Sequence, residues 1–310
     1  ESDRMAGLNL SPSSLDIQKH VVIEEFKQRY LNNPYGDLWL KLRPLAYKVH
    51  PYRWATIGVS PEHIERATLE DVGAFFRQFY APDNAIVSIC GNIAEDKALE
   101  LVKKWFGDIP PAHGPVSHIP AEPRQTEERR SIVPDNNVPA DAIYKVFHMG
   151  GRDSDDFYAC DIISDILSNG QSSRLYVNLI NQRLFSGIDA YVSGDRDPGL
   201  FIFSGKLSEG IDIRQAEAAI NQEIEHFIKD EITVREVEKI IHKTEARISY
   251  SEISYQSKAS NLAFFEFLGD VDLINTEGKR YNDITVDKIK TTARELFRKE
   301  NCSTLWYLKK

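Results

Sequence analysis

The chain has little cysteine, and none arranged to hold a fold together. Cys90, Cys160 and Cys302 are odd in number and lie in apolar stretches. They read as reduced core residues, not as a disulfide framework or a thiolate zinc cluster. Long apolar runs are missing as well, since none approaches the ~20 residues that span a bilayer. Positive charge is in deficit: 38 Lys and Arg face 47 Asp and Glu, a formal net charge of −9. That argues against nucleic-acid binding, because neutralising phosphates takes clustered cations. Gly278-Lys-Arg lacks the glycine-rich lead-in and the Ser/Thr of a phosphate loop. Ser172-Ser173 has no GxSxG elbow, and no Ser-His-Asp set stands out. No initiator Met and no signal peptide precede Glu1-Ser-Asp-Arg-Met, so a further segment is expected upstream. The compartment stays open between cytoplasm and periplasm for a protein that reads as soluble.

Hydrophobic residues make up 42% of 310, enough for a sizeable core in one large or two medium domains. The stretch Ser14–Tyr30 predicts a helix, with Ser13 or Ser14 as N-cap and Asp16 near the positive first turn. Ile17, Val21 and Val22 recur at one-turn spacing and predict an apolar side that wants burial. Glu24 and Glu25, adjacent, point about 100° apart on a helix. One of them can face solvent while the other turns inward, where a carboxylate needs a cation or a hydrogen-bond donor.

Turn chemistry at Asn32-Asn-Pro-Tyr-Gly36 leads to a helix through Leu38, Trp39, Leu42 and Leu45. Thr68 caps a helix whose apolar face is Leu69, Val72, Phe75, Phe76 and Phe79. Ala85-Ile-Val-Ser-Ile-Cys90 predicts a buried strand, followed by a helix from Ala94 to Phe106. Prolines then cluster before the charged run Glu127-Glu-Arg-Arg130. Residues 113–130 read as a semi-rigid linker between a first domain, 1–112, and a second, 131–310. In the second, Ile143–Met149 predicts a strand, and a helix carries Cys160, Ile163 and Leu167 inward. Asp155 and Asp156 read as first-turn acids complementing that helix dipole and not as a calcium site. Segments 190–194 and 200–207 predict paired strands. Helices are expected near 212–229, 234–250, 256–268 and 285–299, before a last strand at Ser303–Leu308. His148 reads as structural, His50 as a loop residue and His63 as a helix-surface residue.

The two halves repeat one another. Thr68 to Asn84 and Thr285 to Asn301 are both sixteen-residue spans that lead into a strand. Upstream, Ile17-Gln-Lys-His-Val21 aligns with Val237-Glu-Lys-Ile-Ile241, which sets Glu25 opposite Glu245. The second half has strands and a helix before its copy of the Glu25 helix, and the first has a dozen residues there. The first domain is therefore expected to lack its opening strands.

Val21-Val-Ile-Glu-Glu25-Phe, Thr68-Leu-Glu-Asp-Val with Phe79-Tyr-Ala-Pro-Asp-Asn84 and Gly91-Asn92, and Gly170-Gln-Ser-Ser-Arg-Leu-Tyr176 resemble the insulinase/pitrilysin family of zinc peptidases. The resemblance covers nearly the whole chain. It implies an α+β fold of two homologous α/β-roll domains, each an antiparallel sheet backed by helices, the first incomplete at its N-terminus. It also implies pairs of such domains closing, through a homologous subunit or a homodimer, around unstructured peptides. In that family two histidines of an HxxEH helix and a downstream glutamate hold zinc, and the motif's own Glu is the general base. The downstream ligand matches Glu25. Three protein ligands leave a fourth position where zinc brings water to a pKa of about 7.

The sequence departs from the pattern in ways that matter. It contains neither HxxEH nor HExxH, and its eight histidines include no i, i+4 pair. Those groups are expected on the upstream segment, so this chain alone is expected to hold no zinc and to be inactive. Gln18 stands where relatives carry a second supporting Glu. Arg183 and Tyr191 are the nearest match to the family's substrate-holding and oxyanion-stabilising pair, one residue off its spacing. Glu245 has no histidines in a motif, so the second domain is expected to be metal-free. The competing readings are a non-catalytic scaffold or binding subunit of the same fold and, against the duplication, an unrelated α/β interaction module.

Overall fold

The computed structural model describes residues 1–112 and 118–310. The first part of the chain is helical: α1 (Ser2–Ala6), α2 (Pro12–Phe26), α3 (Leu38–Ala46), α4 (Pro61–Glu65), α5 (Leu69–Phe79) and α6 (Glu95–Phe106). Strands β1 (Arg129–Asp135) and β2 (Ala142–His148), helix α7 (Phe157–Ser168), and strands β3 (Phe185–Val192) and β4 (Leu200–Leu207) follow. Then come α8 (Ile213–Lys229), α9 (Val234–Ser251), α10 (Tyr255–Leu268), α11 (Leu273–Asn282), α12 (Val286–Leu296) and β5 (Cys302–Lys309). Two compact units result. One contains residues 1–32, 54–119 and 249–274, and the other 33–53, 120–248 and 275–310.

The second unit holds one five-stranded sheet in the order β1-β5-β2-β4-β3. Only the β1–β5 pair is parallel, and the others are antiparallel. This is the mixed α+β architecture of an α/β roll. Alternation along the strands sends side chains to two cores. Ile143, Phe147, Phe201, Phe203 and Trp306 pack with Ile163 of α7, Phe227 of α8 and Ile289 of α12. Tyr144, Val146, Leu200, Ile202, Leu305 and Tyr307 pack with Tyr35, Leu42, Ala46 and Tyr47 of the α3 segment. With both faces covered, β2 is buried along nearly its whole length. The α3 segment is pinned by polar bonds too. The Tyr35 hydroxyl donates to Ala140 O at 2.5 Å, and Tyr307 donates to Asp37 Oδ1 at 2.5 Å. Arg129 reaches the Ala46 carbonyl.

The first unit is made of helices and one extended segment. Ser11, not Ser13 or Ser14, caps α2: its Oγ accepts from Ser14 N at 3.2 Å, Ser14 Oγ accepts from Ser11 N at 3.0 Å, and Pro12 fills the first turn. The apolar side expected on α2 is not buried. Ile17 and Val21 are 59% and 54% exposed, and Ile23 and Phe26 carry the packing. Residues 85–90 also differ from expectation. They are extended, but no strand pairs with them among the described residues, and Ile86, Val87 and Ile89 are exposed. Apolar composition sets a preference for burial, and a strand also needs neighbours to bond to.

The repeat is nevertheless present atom by atom. Thr68 caps α5 and Thr285 caps α12, each accepting from the residue three places on at 3.2 Å. Each helix has 11 residues and is followed by a short 3₁₀ turn, Pro82–Asn84 or Lys299–Asn301. Asn84 Nδ2 donates to Phe79 O at 3.0 Å, and Asn301 Nδ2 to Leu296 O at 2.8 Å. The sequel differs: β5 lies between β1 and β2, whereas 85–90 pairs with no strand among the described residues.

Candidate functional site

Glu25 lies in the last turn of α2, where the helix widens into a π-helical turn, Lys27–Leu31. Glu24 and Glu25 diverge as their spacing requires. Glu24 is ion-paired to Lys27 at 2.7 Å, and Glu25 Oε1 meets Arg29 Nη2 at 2.7 Å. The Glu25 side chain is half-exposed, less than that of Glu24. Gln18, two turns earlier on the same helix, is exposed. Single inserted turns of π-helix occur often at functional positions, and this one begins two residues after Glu25.

The second-half counterpart, Glu245 on α9, accepts from Asn282 Nδ2 at 2.8 Å and lies 3.3 Å from His242 Nδ1. These two partners hold its carboxyl below the usual range. Among the described residues no group of three or more His, Cys, Asp or Glu side chains is placed to hold a metal.

Arg183 and Tyr191 are not brought together. Arg183 sits in the turn before β3 with φ of 59°, a left-handed conformation rare for a residue with a side chain, and is exposed. Tyr191 stands near the far end of the strand. At ~3.3 Å per residue the six steps from Phe185 to Tyr191 span about 20 Å. Tyr191 is 40% exposed, and partial desolvation, then the charge of Asp189, raise its hydroxyl pKa.

Other polar groups went unmarked by the sequence reading. Lys145, on the helix-side face of β2, is 3% exposed and donates to Glu217 Oε1 at 2.9 Å and Thr304 Oγ1 at 3.3 Å. Arg130 clamps the same carboxylate, 2.7 Å to each oxygen, and lies over the Trp306 ring. Burial would raise the Glu217 pKa, but Arg130 and Lys145 hold it below the usual range. This cluster floors a cleft of about 670 Å³ walled by Phe147, Ile224 and Phe297. The signal was there to find: one Lys in the apolar run Ile143–Phe147, and one Glu on the buried stripe Ile213, Ala216, Ile220, Ile224 of α8.

Two histidines lie where expected, one of them more buried than a loop position suggests. His148 is structural as expected, with Nε2 3.0 Å from Ala46 O. His50 is buried, and its Nδ1 accepts from Tyr52 N at 3.1 Å. Beside it, Glu122 accepts the backbone N–H groups of Lys48, Val49 and His50 at 2.7–2.9 Å. Burial works against that carboxylate, and the three donors outweigh it, leaving its pKa lowered.

The chain matches the family model described as "Peptidase M16 inactive domain" over residues 66–244. It is 27% identical over 311 residues to the zinc protease PqqE of Helicobacter pylori, covering 99% of this chain and 70% of that protein. It is 23% identical to the zinc protease YmxG of Bacillus subtilis over 92% of this chain and 68% of that one. The crystal structure of a protease from Helicobacter pylori superposes with a TM-score of 0.91 at 27% identity, over 99% of this chain and 75% of that chain. A peptidase M16 inactive domain from Pseudomonas fluorescens shares the fold at 16% identity, with a TM-score of 0.84 over 100% of this chain and 73% of that chain. The chain belongs to the insulinase/pitrilysin-type M16 peptidase family.

Proposed function

We propose that this chain is the larger part of a zinc endopeptidase acting on unstructured peptides. In this reading residues 1–112 complete a catalytic domain begun by an upstream segment, which carries the two histidines and the general base. Residues 113–130 link it to a metal-free second domain, 131–310. The observation that carries the reading is the lone segment 85–90. Its counterpart β5 is a central sheet strand with the same lead-in helix, cap and asparagine bond, so the first unit is a partial copy of a fold that is whole in the second.

Among the described residues no zinc site is complete. Of the groups this reading assigns to the metal, the described residues supply one carboxylate, Glu25, where a tetrahedral ion needs three protein ligands, and no step of a reaction is routed through the metal here. When bound, zinc supplies an activated water and a Lewis acid. Glu25 would contribute one ligand, and its present partner Arg29 would have to yield that oxygen. Gln18, uncharged and two turns away, would act at most as a hydrogen-bonding neighbour. Arg183 and Tyr191 would meet substrate separately, at opposite ends of β3. A homologous partner subunit or a second copy would close the chamber.

The Glu25–Arg29 pair favours a second reading, a non-catalytic scaffold, because that carboxylate is already neutralised. One experiment separates the two. Expressed with the residues that precede Glu1, the protein is expected to bind one zinc per chain and to cleave a fluorogenic peptide. Glu25→Gln should remove cleavage while leaving the circular dichroism spectrum intact. Turnover that survives this substitution would take Glu25 out of the site, and a longer chain with neither zinc nor cleavage would leave the scaffold.

A further inference from the structure

The cleft floored by Lys145 and Glu217 lies wholly within the sheet unit, where β1, β2 and β5 face α8 and the turn after α12. Its volume of about 670 Å³ is that of a small-molecule pocket, apolar-walled with a few convergent polar groups. Those polar groups are unbalanced in one direction. Four cations, Arg130, Lys145, Arg214 and Lys299, meet three acids, Glu128, Glu217 and Glu225, in a chain whose net charge is −9. Each acid is already engaged: Glu217 by Arg130 and Lys145, Glu128 by Arg130, and Glu225 by Lys229 at 3.0 Å. Arg214 and Lys299 are exposed on the rim, and neither is ion-paired to a carboxylate among the described residues.

A second observation is independent of the charges. Trp306 also lines the cleft and is 9% exposed, and its Nε1–H has no acceptor. Buried donors are almost always paired, so an orphaned one calls for a partner. The Lys145 ammonium, too, has a third N–H beyond those given to Glu217 and Thr304. A purely structural Arg–Glu–Lys cluster would account for Glu217 and leave the indole N–H and both rim cations unexplained. We propose that this cleft binds a monocarboxylate with an aromatic or branched aliphatic body. The head accepts from the Trp306 indole and faces Arg214 and Lys299, and the body lies against Phe147, Ile224 and Phe297. One negative charge matches the single excess cation, whereas a dianion would add repulsion from Glu217. The same chemistry has two sources, a free small acid and the C-terminal residue of a peptide. The inference rests on the sheet unit alone and holds whether or not the chain takes part in catalysis.

Nuclear magnetic resonance titration of the full chain tests the proposal. The probes are hydrocinnamate and N-acetyl-glycyl-phenylalanine, each with its amide as the uncharged control. At least one acid should shift the Trp306 indole N–H resonance and saturate with a Kd below about 1 mM. Its amide should bind at least about tenfold more weakly, the worth of a hydrogen bond to a charged group. Saturation by both acids supports the proposal with free small carboxylates as the source, and saturation by the peptide acid alone supports it with peptide C-termini. The joint variant Arg214→Gln with Lys299→Gln alters two exposed side chains, so the β2 and β5 amide resonances should stay in place. Its affinity for the acid should fall at least about threefold, as expected for two solvated charges. A smaller loss in that variant, equal binding of acid and amide, or saturation without movement of the indole resonance would each overturn the proposal. So would a Kd above about 1 mM for both acids.

Discussion

Glu217 shows how one side chain governs the interior of the sheet unit. It neutralises two cations at once, one of them almost wholly buried. Removing one member of such a group leaves an uncompensated buried charge, which costs about 3–5 kcal/mol. Glu217→Gln is therefore expected to lower unfolding free energy in urea by that amount. The joint replacement Lys145→Met with Glu217→Leu should recover much of the loss, because a well-packed apolar pair removes the desolvation cost. The pH dependence has a fixed sign. The folded-state pKa of Glu217 is depressed, so its contribution is complete above the unfolded value of about 4.3 and fades as pH falls through the lower folded value. Stability should drop more steeply below about pH 4 in the parent than in the double variant. At this scale the sequence was only partly legible. That Glu24 and Glu25 diverge follows from helix geometry alone. The left-handed backbone at Arg183 depends on how the chain leaves the π-helical turn Tyr176–Ile180, which no residue type in that stretch announces.

The repeated helix–turn–asparagine element permits a comparison of the same bond in two settings. Asn301 is buried and donates to both Leu296 O and His148 O, whereas Asn84 is exposed and donates to Phe79 O. A buried carbonyl left without its donor costs about 1–3 kcal/mol, and an exposed one re-bonds to water. Asn301→Ala should therefore lower the melting temperature clearly, and Asn84→Ala by less than about 1 kcal/mol equivalent. Elements with strong periodicity were readable in advance: β2, β4 and β5, and helices α5, α7, α8, α9, α10 and α12. Two were not. Strand β1, Arg-Arg-Ser-Ile-Val-Pro-Asp, looks like linker because it is an edge strand, where charge and proline are tolerated. Helix α11 contains Gly278 and only a weak apolar stripe, with Tyr281 as its one buried residue.

Across the whole molecule, the sequence conveyed the fold class and the duplication, because both rest on many residues agreeing at once. It did not convey how the pieces are shared. Leu42 reads as an ordinary helix-core leucine, and nothing in its own neighbourhood says that its core belongs to strands a hundred or more residues away. Nor did it convey that Ile17, Val21 and Phe75 would face solvent, since hydrophobicity records what a side chain prefers and not what is there to meet it.

The unpaired stretch 85–90 bears on how the protein behaves in a tube. Ala85 N donates to Pro82 O at 3.3 Å, but from Ile86 to Cys90 the row of backbone donors and acceptors has no partner strand among the described residues, and the six residues include isoleucine and valine and neither proline nor charge. Such a row is a template onto which another molecule can zip, and the assembly then grows without limit. Concentrated solutions of this chain should accordingly turn thioflavin-positive and scatter light with a lag that shortens as concentration rises. Val87→Lys, a gatekeeper charge in the middle of the row, should suppress that growth and leave the melting of the sheet unit untouched.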